Sequence, residues 1–205
     1  MRGGASKGLF FYEADLPRRH EARDQLLVRL LGSPDTYERQ LDGLGGATPD
    51  TSKVVIVSSS KRADCDVDFL IGEVSIKDGR IDYSKGCQDL ADAVGPFAIH
   101  EGIVAPQNGI TQVRAWQLSH DYRIDLFVPV QQGRVLETGQ FQDIGLSFHA
   151  AEIRLELFEP PASNAAPVLL PTGSAIDTLQ ISGLGKLRVS VLHTADTFVF
   201  LGQTP

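Results

Sequence analysis

The sequence predicts an α+β fold, in which a mixed sheet of many strands surrounds a buried helix. Only two segments show helical periodicity, whereas short apolar or alternating runs, separated by turn residues, recur along the whole chain. The 20 glycines form clusters, which is typical of tight turns between strands.

The first two elements follow from the N-terminal residues. An apolar run at 9–12 comes after closely spaced glycines and is typical of a strand that leaves a Gly-rich turn. A helix is then predicted from Asp15, a suitable N-cap, to Gly32, with Pro17 in its first turn. Its predicted apolar face consists of Leu26, Leu27, Leu30 and Leu31.

A second glycine cluster, at 42–47, precedes a buried strand predicted at 54–57. The alternation over 66–76 predicts a strand that is broken near Gly72. A hairpin turn at 77–80 then returns the chain as a strand at 81–83.

A second helical segment is predicted after residues 84–88, and Gly95-Pro96 is expected to kink or end it. Its apolar positions are Leu90, Ala91, Val94, Phe97 and Ala98. Beyond Gly109 the pattern is strand after strand, predicted at 111–118, 122–130, 153–158, 187–191 and 197–201.

Composition and charge exclude several classes of protein. Hydrophobic residues make up 42% and charged residues 22%, as in ordinary globular proteins of one large or two small domains. A net charge of −7 argues against a nucleic-acid partner, which needs a basic face. The sequence shows neither a signal peptide nor an apolar run long enough to span a membrane.

Cysteines and histidines are few. Cys65 and Cys87 cannot build a disulfide framework or a four-thiolate zinc site, so we expect a reducing, cytoplasmic compartment. The five histidines show no paired metal spacing, and we predict no metal. Cys65 has no motif around it and is expected in the core.

Six blocks of residues, in order along nearly the whole chain, resemble the PrpF family. They are MRGGASKG at 1–8, GSPD at 32–35, QLDGLGGATPDTSKVVIVS at 40–58, DYSKGC at 82–87, AVGPFAIHEGIV at 93–104 and LLPTG at 169–173. The resemblance implies a cofactor-independent isomerase or tautomerase of unsaturated di- or tricarboxylates.

It also implies a diaminopimelate epimerase-like fold of two lobes, each a curved mixed sheet wrapped around a central helix, with the active site in the cleft between them. Residues 1–173 then form the first lobe, and 174–205 the start of a second lobe that is largely missing. The cleft could be completed by a complementary chain, and self-association into a homo-oligomer through the uncovered face is expected.

Two residues match positions that carry the chemistry in the family. Lys53, at the end of the DGxGGxxxxTSK block, is implied as the base that moves the proton, and Cys87 is implied to face it across the substrate. An amine can act as a base only when it is neutral, which requires burial or a neighbouring cation. A turn-closing surface lysine and a structural thiol are the alternatives at these positions.

The Gly-rich turns suggest how an acidic protein could hold an acidic substrate, because successive backbone amides form anion-binding concavities. Together with polar and basic neighbours they give eight candidate carboxylate-binding residues: Arg2, Gly3, Gly4, Ser6, Lys7, Gly45, Gly46 and Ser52. The alternative is that the glycines only permit tight turns and close packing.

Two classes of function therefore stay open. The first is an isomerase that shifts a carbon–carbon double bond. The second is a catalytically inactive, truncated homologue that acts as a binding or interaction module. Residues that depart from the family pattern favour the second class, for example Ala5 and the Gln88-Asp89 pair after Cys87.

Overall fold

The computed structural model describes residues 1–84, 88–142, 147–158, 169–183, 185–193 and 197–201. By their contacts, the residues divide into two compact units, Met1–Phe158 and Glu159–Pro205. The expected lobe boundary at residue 173 stays a prediction.

The first unit is built on a nine-stranded mixed sheet with the order β1-β2-β3-β4-β6-β7-β8, in which β5 also pairs with β4 and β9 with β7. Its strands are β1 (Arg2–Gly3), β2 (Ser6–Tyr12), β3 (Lys53–Ser59), β4 (Val67–Val74), β5 (Ile81–Asp82), β6 (Gly109–Gln117), β7 (Tyr122–Gln131), β8 (Arg134–Val135) and β9 (Arg154–Phe158). The predicted strands of this unit are confirmed, whereas the two-residue strands β1 and β8 were not predicted because they are too short for a periodic signal.

Two pairs of strands, β2 with β3 and β4 with β6, are parallel, and each pair needs a crossover connection. The first crossover carries helix α1 (His20–Leu30) and the second carries helix α2 (Val94–His100). The two helices pack against different clusters of the sheet's side chains, since Val54 belongs to the α1 cluster and Val55 to the α2 cluster. Alternate residues of β3 therefore face opposite helices.

Helix α2 is the central helix, and every residue from Val94 to Ile99 is buried. It packs in a cluster with side chains of β3, β4, β6 and β7. This confirms the predicted α+β arrangement of a sheet around a buried helix. Gly95-Pro96 was expected to kink or end the helix, and it does not end it. Pro96 lies in the first turn of α2, where its missing N–H group is not needed. A 3-10 helix over Gln88–Ala93 precedes it.

Helix α1 begins later than predicted. Asp15 lies in a 3-10 turn over Glu13–Asp15 and does not cap the helix, which begins at His20. Pro17 explains the difference, because a proline disfavours helical backbone at the residue before it, and Leu16 is extended there with ψ of 153°. Leu27 and Leu31 are buried as predicted, whereas Leu26 is 39% exposed.

Strand β4 runs through Gly72 without the predicted break. Gly72 pairs with Val54 of β3, and a side chain at this position would overlap with Ile81 and Tyr83. The glycine therefore allows β5 and the residue after it to approach β4 closely. The predicted hairpin turn before β5 is confirmed, with Gly79 at φ of 60°.

The parallel contact between β4 and β6 begins at a salt bridge. Asp66 accepts hydrogen bonds from Nη2 and Nε of Arg114 at 2.7 and 3.1 Å and from the backbone N–H of Arg114 at 2.8 Å. Burial raises the pKa of the Asp66 carboxyl, but the hydrogen bonds and charge of Arg114 outweigh burial, so the pKa lies below its usual value.

The second unit contains a three-stranded antiparallel sheet of β10 (Asp177–Ile181), β11 (Gly185–His193) and β12 (Thr197–Leu201). The predicted strands at 187–191 and 197–201 are confirmed, and β10 was not predicted. Among the described residues, no helix has both the length and the apolar character needed to cross a membrane.

Replacing Leu90 with alanine should lower the free energy of unfolding by about 2–5 kcal/mol, because Leu90 is fully buried next to α2 and its loss leaves a cavity. Urea unfolding of the 205-residue chain measures the change. Leu118→Ala is the matched control, since Leu118 is 47% exposed and should change stability by about 0.5 kcal/mol or less. Equal effects at the two positions would contradict the assigned core.

Replacing Asp66 with asparagine should remove a pH-dependent part of the stability. Because the folded pKa of Asp66 is lowered, its contribution is fully present above the unfolded pKa of about 3.9 and is lost as the pH falls through the folded value. The stability difference between wild type and Asp66→Asn, measured by urea unfolding, should therefore shrink as the pH is lowered below about 4. The exposed Asp42→Asn variant is the control. If the stability difference between wild type and Asp66→Asn does not vary with pH, the lowered pKa of Asp66 is refuted.

Candidate functional site

Lys53 is the first residue of β3, and a short turn directly precedes it in the chain. Thr48-Pro49-Asp50-Thr51 forms a 3-10 turn with proline at its start, in which the Thr48 N–H donates to Thr51 Oγ1 at 3.2 Å. This local structure follows from the sequence, since Thr is a good cap and Pro fits a first turn. The turn ends at Ser52, and the chain enters the sheet.

The Lys53 side chain is buried, with only 5% of it exposed. Its Nζ donates a hydrogen bond to Ser6 Oγ at 2.9 Å and lies 3.4 Å from Asp50 Oδ1. The parallel register, in which Gly8 of β2 is the Cα partner of Lys53, brings Ser6 and Lys53 together on the α2 face of the sheet. The alternative of a surface lysine is therefore not what the structure shows.

The β1–β2 hairpin presents Ser6 to this site. Its turn is Gly4-Ala5, with Gly4 at φ of 47°, a conformation that favours glycine. Arg2 and Lys7 are exposed, and Arg2 Nε donates to the Gly4 carbonyl at 3.1 Å. Ser6 itself is only 1% exposed.

The 3-10 helix Gln88–Ala93 lies directly on the hairpin. A Cβ at Gly3 would overlap with the Asp89 carbonyl and the Asp92 carboxylate, so Gly3 is required there by close packing. Asp92 Oδ2 accepts from the Gly4 N–H at 3.2 Å, and Asp89 Oδ2 accepts from Ser6 Oγ at 3.3 Å. Two groups of the predicted carboxylate cradle thus already bind carboxylates, both from the chain itself.

The second glycine cluster is organised by Gln40, a side chain that is 1% exposed. Its Nε2 donates to Ser33 Oγ at 3.0 Å, and its Oε1 accepts from the Ala47 N–H at 2.8 Å and from Ser52 Oγ at 2.7 Å. A Cβ at Gly45 would overlap with this amide. Ser52 is therefore bonded into the loop and precedes Lys53 by one residue.

Of the predicted residues, the structure brings Gly3, Gly4, Ser6 and Lys53 together. The Lys7 side chain approaches Gly46, where an added Cβ would lie 3.2 Å from Lys7 Cε. A Cβ at Gly46 would also overlap with Thr51. Cys87 lies outside the described residues, so its position relative to Lys53 stays a prediction.

Four polar residues of this region were not predicted: Gln40, Asp50, Asp89 and Asp92. Asp50 sits three residues before Lys53 and could have been found from that spacing. Asp89 and Asp92 come from a segment more than 80 residues away from their partners, which no local pattern signals.

The charges around the site are mixed. Burial and the nearby Lys7 charge lower the pKa of the Met1 amine, which donates to the Gly8 carbonyl at 2.7 Å.

Cys65 is buried, as expected, and burial raises the pKa of its thiol. Within the described part of the chain, no group of three His, Cys, Asp or Glu residues could hold a metal ion. The site's chemistry is that of an amine, a hydroxyl and carboxylates.

A family model described as PrpF protein matches residues 1–204. Among curated relatives, the 2-methyl-aconitate isomerase of Cupriavidus necator is 44% identical over 98% of this chain and 53% of its own length. The 4-oxalomesaconate tautomerase of Pseudomonas putida is 38% identical over 88% of this chain and 49% of its own length. The chain therefore spans about half the length of the curated relatives it matches.

A crystal structure of methylitaconate-delta-isomerase superimposes on this chain with a TM-score of 0.85 and 36% identity, and covers 98% of this chain and 51% of that one. This likeness confirms the diaminopimelate epimerase-like α+β fold implied by the sequence resemblance.

Replacing Gly45 with alanine should destabilise the chain, because the new methyl group must displace an amide that three hydrogen bonds hold in place. We expect a loss of about 1–3 kcal/mol in urea unfolding. In a Gln40→Ala background the same change should have little effect, since the obstructing side chain is gone. Equal losses in both backgrounds would show that Gln40 does not set the requirement for glycine.

Proposed function

The chain belongs to the PrpF family, and on that premise we propose that it carries the base-bearing half of a cofactor-independent isomerase. Its substrate class is an unsaturated di- or tricarboxylate, in which the enzyme shifts a carbon–carbon double bond by one position. The observation that carries the proposal is the buried Lys53 amine, hydrogen-bonded to Ser6 at the start of β3.

The proposed reaction is a 1,3-proton transfer. A base removes a proton from the allylic carbon, the electron pair moves into a dienolate that the conjugated carboxylate stabilises, and a proton returns two carbons away. No oxidation takes place, so the chemistry needs a base, an acid and anion-binding groups only. Lys53 is assigned as the base.

Burial of Lys53 supports this assignment, because removing an amine from water favours its neutral form, which is the form that can accept a proton. Its nearest carboxylate, Asp50, has a side chain that is 66% exposed and is therefore well screened by solvent. Cys87 is assigned as the group that faces Lys53 across the substrate, on the family resemblance alone.

Carboxylate binding is proposed for Arg2, Lys7 and the glycine-rich turns at 3–4 and 45–46, with Ser6 as a hydroxyl donor. Ser52 is proposed with them, but its hydroxyl donates to Gln40 in the structure and must give up that bond before it can bind a substrate. Arg2 and Lys7 are exposed and carry the positive charge that an anionic substrate needs. A substrate carboxylate at Gly4 or Ser6 must take the place of Asp92 or Asp89, which accept these hydrogen bonds in the structure.

One observation favours the second candidate function, an inactive binding or interaction module. The chain's own carboxylates hold the Gly4 N–H and the Ser6 hydroxyl, which suits a closed site better than an open one. The relatives are about twice as long as this chain, so we propose that a complete cleft also needs a second lobe.

Proton exchange tests the proposal. Unsaturated di- and tricarboxylates are incubated in deuterated water with the chain, alone and fused to the second half of the Cupriavidus relative. An isomerase should introduce deuterium at the allylic carbon, because the proton held by a lysine ammonium exchanges with solvent. Lys53→Ala should abolish the exchange, and so should Lys53→Arg, since a guanidinium stays protonated and cannot act as a base.

The relative's own two halves, fused in the same way, are the positive control. Exchange in that control but none in the fused chain would support the inactive module. Exchange that persists in Lys53→Ala would show that an isomerase exists but that Lys53 is not its base.

A further inference from the structure

We infer that Asp89 is a positioning residue that acts on Lys53 through the Ser6 hydroxyl and favours the ammonium form of the lysine, in opposition to the effect of burial. The inference concerns the protonation state of Lys53, and only its catalytic meaning rests on the proposed function. Neither the family match nor the relatives' names assign a role to Asp89.

The direction of the hydrogen bonds carries the argument. Ser6 Oγ has one hydrogen and two lone pairs. An ionised carboxylate can only accept, so Ser6 gives its hydrogen to Asp89 Oδ2 at 3.3 Å. The lone pairs then face other donors, and Lys53 Nζ donates to Ser6 at 2.9 Å. Asp89 therefore fixes which way the hydroxyl points. The lone pair of a neutral Lys53 amine cannot accept the Ser6 hydrogen in this orientation, whereas an ammonium donates to Ser6 more strongly than a neutral amine does.

Burial strengthens the coupling. Ser6 is 1% and Lys53 4% exposed, so the hydrogen bond between amine and hydroxyl is shielded from water. Charges and dipoles interact more strongly in the protein interior than in water. Asp89 is exposed and remains in contact with solvent. It supplies negative charge to a buried amine without being desolvated itself.

Other charged groups on the described elements around Lys53 are few. Asp50 comes from the preceding turn, Asp92 from the same 3-10 helix as Asp89, and Glu73 is the cross-strand partner of Lys53 on β4. The cations are Lys7, one residue after Ser6 on β2, and the Met1 amine, which donates to the carbonyl of Gly8, the strand partner of Lys53. Asp89 differs from all of these in reaching Lys53 through a hydroxyl that the two residues share.

The consequence for the proposed reaction is that Asp89 increases the fraction of Lys53 that carries a proton at rest. Such a lysine must release its proton before it can accept one from the substrate. Neutralising Asp89 should therefore lower the pH at which Lys53 becomes competent as a base. In an active assembly, the acidic limb of the pH profile of kcat/KM, which reports the free enzyme, should move by the same amount.

Lysine NMR tests this without any substrate. The chain has six lysines, so side-chain 13Cε and 15Nζ labelling gives a simple spectrum in which the Lys53 signal is identified by its loss in Lys53→Met. In Asp89→Asn the titration midpoint of Lys53 should fall by about one pH unit, because the charge is lost while the amide oxygen can still accept from Ser6.

A double variant decides whether Ser6 transmits the effect, and two single variants serve as controls. In a Ser6→Ala background, Asp89→Asn should shift the midpoint by less than half as much. Asp121→Asn removes the same charge from an exposed turn at the far end of the sheet and should leave the midpoint unchanged. Asp89→Ser provides the neutral substitution again should the asparagine variant fail to fold.

An unchanged Lys53 midpoint in both Asp89 variants would overturn the inference, and so would a shift that stays at full size without the Ser6 hydroxyl. Because the titration uses no substrate, the expected shift in a chain that catalyses no exchange would leave the inference standing and refute only the proposed isomerase. If exchange depends on Lys53 but the Lys53 midpoint does not respond to Asp89, the proposed isomerase stands and the inference about Asp89 is refuted.

Discussion

The parallel register of β2 and β3 is the constraint on which the candidate site depends. It makes Gly8 the Cα partner of Lys53 and so places Ser6, two residues earlier on the same face, within hydrogen-bond distance of the lysine. Successive residues of β3 alternate between the α2 and α1 clusters, as Val55 and Val54 do. A slip of one residue would turn Lys53 towards the other helix and away from Ser6.

Packing at Gly3 is the second constraint, and it links the edge of the sheet to the central helix. The 3-10 helix that leads into α2 can lie on the hairpin only because Gly3 has no side chain. The carboxylates of Asp92 and Asp89 in this 3-10 helix then accept hydrogen bonds from the Gly4 N–H and the Ser6 hydroxyl of the hairpin. Close packing is therefore what the structure shows at Gly3, and the carboxylates that this packing brings to the hairpin belong to the chain itself.

Much of the fold could be predicted from the sequence, because the strands are apolar or alternating runs and the burial of one face determines them. The errors have local causes. Pro17 separates a turn from α1, Pro96 occupies a first turn that periodicity does not reveal, and Gly72 serves a close approach between strands, where its presence suggested a break. Lys53 and Ser6 were identified through their motifs. Asp89 and Asp92 were not, because acidic residues in a short turn resemble an ordinary solvated surface.

The pairs that build the site lie far apart along the chain: Lys53 is 47 positions after Ser6, and Asp89 is 83 positions after it. Short-range structure therefore cannot assemble the site, since the entropy of closing such loops must first be offset by the packed sheet. During synthesis, Ser6 lacks its carboxylate acceptor until the ribosome has released residue 89. A nascent chain therefore exposes an ordinary, fully hydrated lysine, and this amine acquires its special surroundings only when the sheet has closed around α2.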